Sequence, residues 1–229
     1  MAASLSSDRE RTEHLPARVL RTATFALSVP RRSQLPPDRG LEVAFIGRSN
    51  AGKSSLLNAV TDHRSLARTS KLPGRTQHFV VFDVTPGTRL VDLPGYGYAA
   101  AAREIRSVWT EEIPAYFTER RSLAGAVCAM DARRPLLPVD RQVLELLSGA
   151  GVPCLVALTK SDTLSRSELA VTLKMVTATL APWGTGLASC SARRGEGIAA
   201  IAGVVAEWLG VAAGPDEKKR GSRAILKGE

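Results

Sequence analysis

The residues best suited to chemistry lie in the stretch GRSNAGKSSLLNAV, from Gly47 to Val60. Its Gly-x-x-x-x-Gly-Lys-Ser core follows the apolar run EVAFIG and opens a helical pattern, which is the context that a phosphate-binding loop requires. In such a loop backbone N–H groups surround the phosphates, Lys53 reaches the β and γ phosphates, and the Ser54 hydroxyl ligates Mg²⁺. The sequence therefore predicts a nucleotide site here.

A second candidate segment, Asp92-Leu93-Pro94-Gly95, ends another apolar run. The Asp92 carboxylate could hold Mg²⁺ through water, and the Gly95 N–H could detect a γ phosphate. A strand-ending turn explains this segment equally well when it is taken alone, since Pro-Gly is a common turn pair.

A third segment, Thr159-Lys160-Ser161-Asp162, would choose the base. The Asp162 carboxylate could accept hydrogen bonds from N1–H and from the exocyclic N2 of guanine, and adenine offers neither donor. Sites built in this way discriminate between ligands by roughly 10⁴. A charged turn is the alternative for Asp162 in isolation, but the two preceding segments favour base recognition. Ser191-Ala192 could add a backbone N–H for guanine O6, which is a weaker signal.

The polar stretch TSKLPGRTQ, residues 69 to 77, lies between the phosphate loop and Asp92. If it is a switch, the Thr76 hydroxyl completes the Mg²⁺ shell only when a triphosphate is bound. A plain connecting loop is the alternative. We favour the switch because Thr76 lies just before the next apolar run.

The elements that must position these residues alternate between strands and helices. The strand runs are 42–47, 79–84, 88–94, 123–132, 154–160 and 187–192, and the helical patterns are Ser54 to Val60, Ala102 to Thr118, Val139 to Ser148, Arg166 to Leu180 and Gly197 to Leu209. Because only Thr85-Pro86-Gly87 joins the second and third runs, they should form an antiparallel hairpin. We predict an α/β fold whose six-stranded, mostly parallel sheet has one antiparallel edge strand and helices on both faces.

The chain ends differ in character from this core. We predict a flexible arm over residues 1–24, one domain over 25–210, and a charged disordered tail over 211–229, with the apolar piece TATFALSV docking on the core. No apolar run is long enough to span a membrane, and the separated Cys128, Cys154 and Cys190 read as buried small hydrophobes in a reducing compartment. We expect a cytoplasmic protein.

The charge balance is basic, with 31 Lys and Arg against 22 Asp and Glu and a net charge of +9. Such an excess suits a polyanionic partner, either nucleic acid or anionic lipid. An Arg-rich solvated surface without a partner is the alternative. The three histidines and three cysteines show no spacing typical of a metal cage.

Five stretches carry a resemblance to a known family: GRSNAGKSS, ARTSKLPGRTQ, LVDLPGYGYA, DARRPL and LTKSD. In this order they closely resemble the EngB/YsxC/YihA family of bacterial ribosome-assembly GTPases, from about Phe25 to Leu209. The resemblance implies a Ras-like P-loop GTPase fold, GTP or GDP with Mg²⁺ as ligands, and a role in late maturation of the large (50S) ribosomal subunit. The implied partners are the large-subunit precursor and its rRNA, with no membrane, and we expect a monomer. Loss of family members is described as a cell-division or septation defect.

The resemblance also assigns the site residues. The nucleotide contacts would be Gly47, Arg48, Ser49, Asn50, Ala51, Gly52, Lys53, Ser54, Gly74, Arg75, Thr76, Gln77, His78, Asp92, Leu93, Pro94, Gly95, Thr159, Lys160, Ser161, Asp162, Cys190, Ser191 and Ala192. Ser54, Thr76 and Asp92 would hold Mg²⁺, and Lys53, Thr76 and Asn50 would serve catalysis. Thr163 departs from the Lys usual in the family, and we expect no change in base choice from it.

Turnover should be slow. In Ras-like enzymes a Gln directly after the Asp-x-x-Gly segment orients the attacking water, and here that position is Tyr96. Asn50 matches a position that helps bind K⁺ in the wider superfamily, and K⁺ can replace the charge of an arginine finger. A loop-shaping hydrogen bond is the alternative role for Asn50.

Two other functional classes stay open beside a GTPase switch. One is a P-loop ATPase or small-molecule kinase, against which Asp162 argues. The other is an RNA-binding module that holds GTP without meaningful turnover, which Tyr96 permits.

Overall fold

The computed structural model describes residues 15–67, 78–97 and 108–211. The predicted switch stretch 69–77 and the tail from residue 212 onward lie outside the described residues.

One seven-stranded sheet forms the centre of the protein. Its strands are β1 (Thr24–Val29), β2 (Leu41–Gly47), β3 (Phe79–Thr85), β4 (Thr88–Asp92), β5 (Leu123–Asp131), β6 (Cys154–Thr159) and β7 (Gly186–Ser189). They are ordered β1-β3-β4-β2-β5-β6-β7. The pairs from β4 to β7 are parallel, whereas β3 is antiparallel to both β1 and β4.

The predicted fold class is confirmed, but the strand count and the edge are corrected. The sequence predicts six strands with the antiparallel strand at the edge. Residues 24–29 add a seventh strand outside β3, so β3 lies inside the sheet. In this strand Phe25, Leu27 and Val29 alternate with Thr24, Ala26 and Ser28, but the run is short and most of its side chains face solvent, with Phe25 59% exposed. It is held by its ladder with β3, from Thr24 opposite Asp83 to Val29 opposite Phe79.

Six α-helices are formed by the described residues. They are α1 (Leu15–Leu20), α2 (Lys53–Val60), α3 (Ile113–Glu119), α4 (Pro138–Gly149), α5 (Arg166–Leu180) and α6 (Ile198–Trp208), with a π-helical turn at Val108–Glu112 before α3. Helix α5 has the predicted bounds, and α2, α4 and α6 match their predicted patterns within one residue at either end. The first part of the predicted helix Ala102 to Thr118 lies outside the described residues.

The sheet has an apolar core on each face, as helices on both faces require. Along β2, Val43 and Phe45 face the core shared with α1, α2 and α6, whereas Ala44 and Ile46 face the core shared with α3, α4 and α5. Helix α6 packs its apolar face against the core, and a Cβ on Gly125 of β5 would lie 2.5 Å from the Trp208 ring. Trp208 therefore packs against the core.

The amino-terminal segment differs from a purely flexible arm. Residues 15–20 form α1, and Leu20 is fully buried in the core beside α6. The apolar piece that follows docks as β1, as expected for TATFALSV. Of the helices in the described ranges, none combines the length and the hydropathy needed to cross a membrane.

Candidate nucleotide-binding site

The parallel strands bring four predicted segments to one edge of the sheet. Strand β2 ends at Gly47, β4 at Asp92, β6 at Thr159 and β7 at Ser189. Since the carboxyl ends of parallel strands lie together, the segments that follow these residues surround one region. The structure thus brings together the predicted residues 47–54, 92–95, 159–162 and 190–192.

The phosphate loop requires its glycines. Gly52 precedes α2 with φ of 88°, in the left-handed region where L side chains are strained. A Cβ on Gly47 would lie 2.6 Å from the Ala129 carbonyl oxygen, and one on Gly52 would lie 3.3 Å from Thr159 Oγ1. The loop backbone therefore runs close against the sheet and leads into the amino end of α2, whose first N–H groups have no partner within the helix.

The predicted base-recognition segment, residues 159–162, holds the phosphate loop in place. The Thr159 hydroxyl contacts the Ala51 carbonyl oxygen and lies 3.1 Å from that of Met130. The Lys160 ammonium donates to the Asn50 carbonyl oxygen at 2.6 Å and to Asp131 Oδ2 at 2.9 Å. The two predicted motifs therefore form one connected unit.

Asp131, at the end of β5, is the shared acceptor in this unit. Arg133 donates to it through Nη2 at 2.6 Å and Nε at 2.9 Å. Burial raises the pKa of the Asp131 carboxyl, but hydrogen bonds from Arg133 and Lys160 outweigh this and hold the pKa well below its usual range. Asp131 therefore stays ionised and fixes the Lys160 side chain.

A buried ion pair lies in front of the phosphate loop. The Lys53 ammonium contacts Asp92 Oδ1, and the two side chains are only 6% and 4% exposed. The Ser54 hydroxyl lies 3.4 Å from Asp92 Oδ2. The residues predicted to contact phosphate and Mg²⁺ are thus side by side at the end of β4 and the start of α2.

A pocket of about 270 Å³ adjoins the loop at the place predicted for the base. It is lined by Gly52, Ser55, Leu56, Thr159, Lys160, Asp162, Thr163, Cys190, Ala192 and Arg193. A hydrogen bond from the Ser191 hydroxyl is the main cause that lowers the pKa of Asp162. Asp162 therefore presents an ionised carboxylate that only accepts hydrogen bonds, as guanine recognition requires.

Cys190 shapes this pocket through its backbone as well. Ser161 N–H donates to the Cys190 carbonyl oxygen at 3.1 Å, and Cys190 N–H donates to that of Leu158 at 2.8 Å. Burial raises the pKa of the Cys190 thiol to about 12, so this side chain stays neutral. It is buried, as the sequence predicts for all three cysteines, whereas Cys154 is half-buried.

Two residues near the loop point away from the nucleotide region. Arg48 lies in the predicted cradle, yet its guanidinium donates to Asp140 Oδ1 at 3.1 Å and to the Arg134 carbonyl oxygen at 2.6 Å. Tyr96 is buried, and its hydroxyl donates to the same Asp140 oxygen at 2.8 Å. Burial is the main cause that raises the pKa of Tyr96 well above its usual value. Arg48 can therefore contribute to binding of the nucleotide phosphates only through its backbone.

Asp140 was not among the predicted site residues. It is fully buried, and its Oδ2 accepts from the Leu137 N–H at 2.9 Å, which caps α4. The sequence offers Pro138 followed by an acidic residue as a helix start. The contacts with Arg48 and Tyr96 are tertiary, and no spacing in the chain indicates them.

The remaining predicted residues divide into two groups. Gly74, Arg75, Thr76 and Gln77 lie outside the described residues, so the switch hypothesis stays a prediction. His78 is exposed directly before β3, with its Nδ1 3.3 Å from Ser28 Oγ on β1. Because Val80 pairs with Asp92, this end of β3 lies at the edge where the site is.

The side chains present fit a nucleotide with Mg²⁺. Hydroxyl and carboxylate oxygens are the ligands that Mg²⁺ prefers, and Ser54 and Asp92 supply them. In the described part of the chain no three His, Cys, Asp or Glu side chains gather into a metal cage. A bound Mg²⁺ would therefore complete its shell with phosphate oxygens and water, and would neutralise charge on the phosphates.

Comparison with known proteins agrees with this geometry. A doubly covered sheet with a phosphate loop and a base pocket at its carboxyl edge defines a P-loop GTPase, and residues 42–160 match the family described as "50S ribosome-binding GTPase". A probable GTP-binding protein EngB of Stenotrophomonas maltophilia is 46% identical over 196 residues, which cover 84% of this chain and 98% of that protein. The EngB of Enterobacter sp. (strain 638) is 51% identical over 66% of this chain and 73% of that protein. The chain belongs to the EngB family of GTP-binding proteins.

Solved structures show the same fold. A crystal structure of a probable GTP-binding protein EngB superposes with a TM-score of 0.59 at 22% identity, covering 73% of this chain and 98% of that one. A structure of Era in complex with MgGDPNP and nucleotides 1506–1542 of 16S ribosomal RNA gives 0.59 at 20% identity, over 74% of this chain and 57% of that one. At these identities the likeness concerns the fold alone.

Proposed function

We propose that this EngB-family GTPase is a guanine-nucleotide switch with slow, Mg²⁺-dependent hydrolysis that acts in late assembly of the large ribosomal subunit. Normal cell division and septation would depend on it, directly or through ribosome supply. The observation that carries the proposal is the base pocket, where the Asp162 carboxylate faces the space next to the phosphate loop.

The nucleotide choice is tested at Asp162. Replacing its carboxylate in Asp162→Ala removes both acceptors for guanine, and we expect GTP and GDP affinity to fall by about 10- to 100-fold while ATP binding stays weak. Binding of GTP, GDP, ATP and XTP is measured side by side. Asp62→Ala is the control, because that exposed carboxylate pairs with Arg21 at the far end of α2. Wild-type protein that prefers ATP, or ignores the base, would refute the proposal.

The phosphate end suggests how the loop responds to ligand. Lys53 and Asp92 neutralise each other in the structure. When a triphosphate binds, we expect its oxygens to attract Lys53, which frees Asp92 to hold a Mg²⁺-bound water together with the Ser54 hydroxyl. Chelating Mg²⁺ should therefore weaken GTP binding.

The proposed slow turnover is supported by Tyr96. Its side chain is buried against Asp140 and cannot reach a water at the γ phosphate. Unaided hydrolysis should be on the order of 10⁻⁴ s⁻¹ if the Ras template applies.

We also propose that Asn50 helps bind K⁺ as a substitute for the arginine finger. If GTP turnover is equal in Na⁺ and in K⁺, both with and without ribosomal particles, the proposed K⁺ activation is wrong.

The ribosomal partner is supported by the net charge of +9 and by the description of the matched family. A basic surface contacts the rRNA backbone without reading its sequence, so binding to large-subunit precursors should weaken steeply with salt. Binding that is insensitive to salt would contradict this.

A second candidate, an RNA-binding module that holds GTP without meaningful turnover, is favoured by the burial of Tyr96. Single-turnover hydrolysis measured with large-subunit precursors separates the two. Acceleration by the particle supports the switch, and no acceleration supports the module.

A further inference from the structure

A second pocket lies on the outer flank of the phosphate loop, between this loop and the segment after β5. It measures about 440 Å³ and is lined by Arg48, Ser49, Asn50, Ala51, Asp131, Arg133 and Arg134. The base pocket shares none of these residues. Four of its residues belong to the phosphate loop, but the flank pocket lacks Lys53, Ser54 and Asp92, the side chains predicted to contact phosphate and Mg²⁺.

Three arginine side chains line the flank pocket, and the fold fixes two of them. Buried Asp140 and the Arg134 carbonyl oxygen bind the Nε and Nη2 groups of Arg48, which leaves its other N–H groups without partners among the described residues. Arg133 is held by Asp131 through Nε and Nη2, yet its side chain is 51% exposed. Two guanidinium groups are therefore oriented in advance, with donors to spare.

Arg134 completes the set. It is exposed, and among the described residues its side chain has no hydrogen-bond or ion-pair partner. Two carboxylates pair with these cations: Asp131 binds Arg133 and Lys160, and Asp140 binds Arg48. Cations thus outnumber carboxylates here, and the repulsion between them is relieved when an anion binds.

We propose that the flank pocket binds a phosphodiester group of the RNA backbone, which rests on the proposed function of the protein. Guanidinium forks match the geometry of phosphate oxygens and can bind two at once. Because Arg133 and Arg134 are exposed, a ligand here would keep much of its surface in solvent, whereas small-molecule sites bury most of their ligand. A polymer backbone lying across the surface meets this condition better than a free phosphate ion does.

The flank pocket is connected to the nucleotide site. Its Asn50 carbonyl oxygen and Asp131 carboxylate both accept from Lys160, which precedes the base-binding Asp162 by two residues. RNA bound at the flank pocket would contact the outer side of the same loop that holds the phosphates. RNA affinity and GTP affinity are therefore expected to be coupled, each changing the other by the same factor.

The test uses the full chain and the variant Arg134→Ala, with Arg121→Ala as the matched control. Arg121 is also an exposed arginine, but it precedes β5 and lies at the opposite end of the sheet. Affinity for protein-free large-subunit rRNA is measured across a salt series. We expect Arg134→Ala to reduce the slope of log affinity against log salt by about 0.7 to 0.9, one phosphate contact, and Arg121→Ala to leave it unchanged. Affinity of Arg134→Ala for GTP without RNA should equal that of wild type.

The outcomes separate this proposal from the function on which it rests. If the wild type binds rRNA and Arg134→Ala has the same salt slope as Arg121→Ala, the flank-pocket proposal is wrong. The ribosomal role is not contradicted by that result. Failure of the wild type to bind either rRNA or large-subunit precursors overturns both. Inorganic phosphate at millimolar concentration is added in a further arm. If phosphate binds the wild type but not Arg134→Ala, and does not lower the rRNA affinity of the wild type, the pocket binds the free ion only and the backbone proposal is wrong.

Discussion

Two buried carboxylates lie at opposite ends of the central sheet and have similar partners. Glu42, near the start of β2, accepts from Arg89 at 3.0 Å, from Arg120 at 2.6 Å and from the Tyr116 hydroxyl at 3.4 Å. Asp140, at the carboxyl edge, accepts from an arginine, a tyrosine and a backbone N–H. Each carboxylate is almost fully shielded from solvent, so each depends on these partners for its charge.

The two clusters differ in what their partners are attached to. Arg89 and Arg120 belong to β4 and to the end of α3, and Arg120 also holds the Pro36 carbonyl oxygen. These contacts join parts of the scaffold far from the nucleotide region. Arg48 lies in the phosphate loop, and Tyr96 directly follows Asp92-Leu93-Pro94-Gly95. The same chemistry therefore serves stability at one end and the position of functional loops at the other.

The largest effect is expected at Glu42. Glu42→Gln leaves Arg89 and Arg120 buried without their shared counter-charge, and we expect a loss of about 3 to 5 kcal/mol in the free energy of unfolding. Urea unfolding measures it. Asp83→Asn is the control, because Asp83 pairs with the same Arg89 at 3.5 Å but is 59% exposed, and should cost less than about 1 kcal/mol. The folded Glu42→Gln protein should bind GTP as wild type does. Weaker binding would contradict the view that the contacts of Glu42 serve stability alone.

At Asp140 both stability and function should change. Asp140→Asn keeps the shape but removes the charge that holds Arg48 and Tyr96, and we expect a loss of about 2 to 3 kcal/mol in unfolding free energy. Because Arg48 lies in the phosphate loop, GTP affinity should fall as well, measured below the unfolding transition. Normal GTP affinity in folded Asp140→Asn would show that this cluster is as purely structural as the one around Glu42.

The sequence predicts the loops of the site better than the contacts that hold them. The phosphate loop is readable because Gly47, Gly52, Lys53 and Ser54 act within eight consecutive residues and lie between a strand and a helix. Asp140 is not readable in this way, since Arg48 is 92 residues away and Tyr96 is 44. Its contacts form only when the segments that follow β2 and β4 pack against the start of α4. Local sequence periodicity does not indicate such tertiary packing.

The missed strand β1 has a related cause. Strand β1 is a short run at the sheet edge with mainly exposed side chains, so the alternation of Phe25, Leu27 and Val29 is too brief to stand out in the sequence. Its position is set by backbone pairing with β3, which any extended segment can provide. Internal strands such as β5 and β6 were predicted correctly because both of their faces are buried and read as continuous apolar runs.

The substitution Tyr96→Phe distinguishes the contribution of the Tyr96 hydroxyl, which binds Asp140, from that of the ring. The ring still packs on Trp109, with centroids 5.2 Å apart, while Asp140 loses one hydrogen bond. We expect a loss of about 1 to 2 kcal/mol in unfolding free energy. In the double variant with Asp140→Asn the losses should be less than additive, because Tyr96→Phe removes the hydrogen bond that Asp140→Asn weakens by taking away the charge of the acceptor. Strict additivity would mean that the Tyr96 hydroxyl and Asp140 act independently.

The smallest effect is expected at Asp131, which lies at the same edge as Asp140 but is paired with half-exposed Arg133 and Lys160. Asp131→Asn should cost less than about 1 kcal/mol at neutral pH, since solvent screens these pairs. The pKa of Asp131 is lowered in the folded state, so its contribution is complete above the unfolded value of about 3.9 and declines as pH falls toward the folded value. The stability gap between wild type and Asp131→Asn, measured by urea unfolding, should therefore be constant from pH 7 to 5 and narrow below pH 4. A gap that widens in acid would mean that the folded state binds the proton more tightly than the unfolded chain does, and that burial outweighs the two cations.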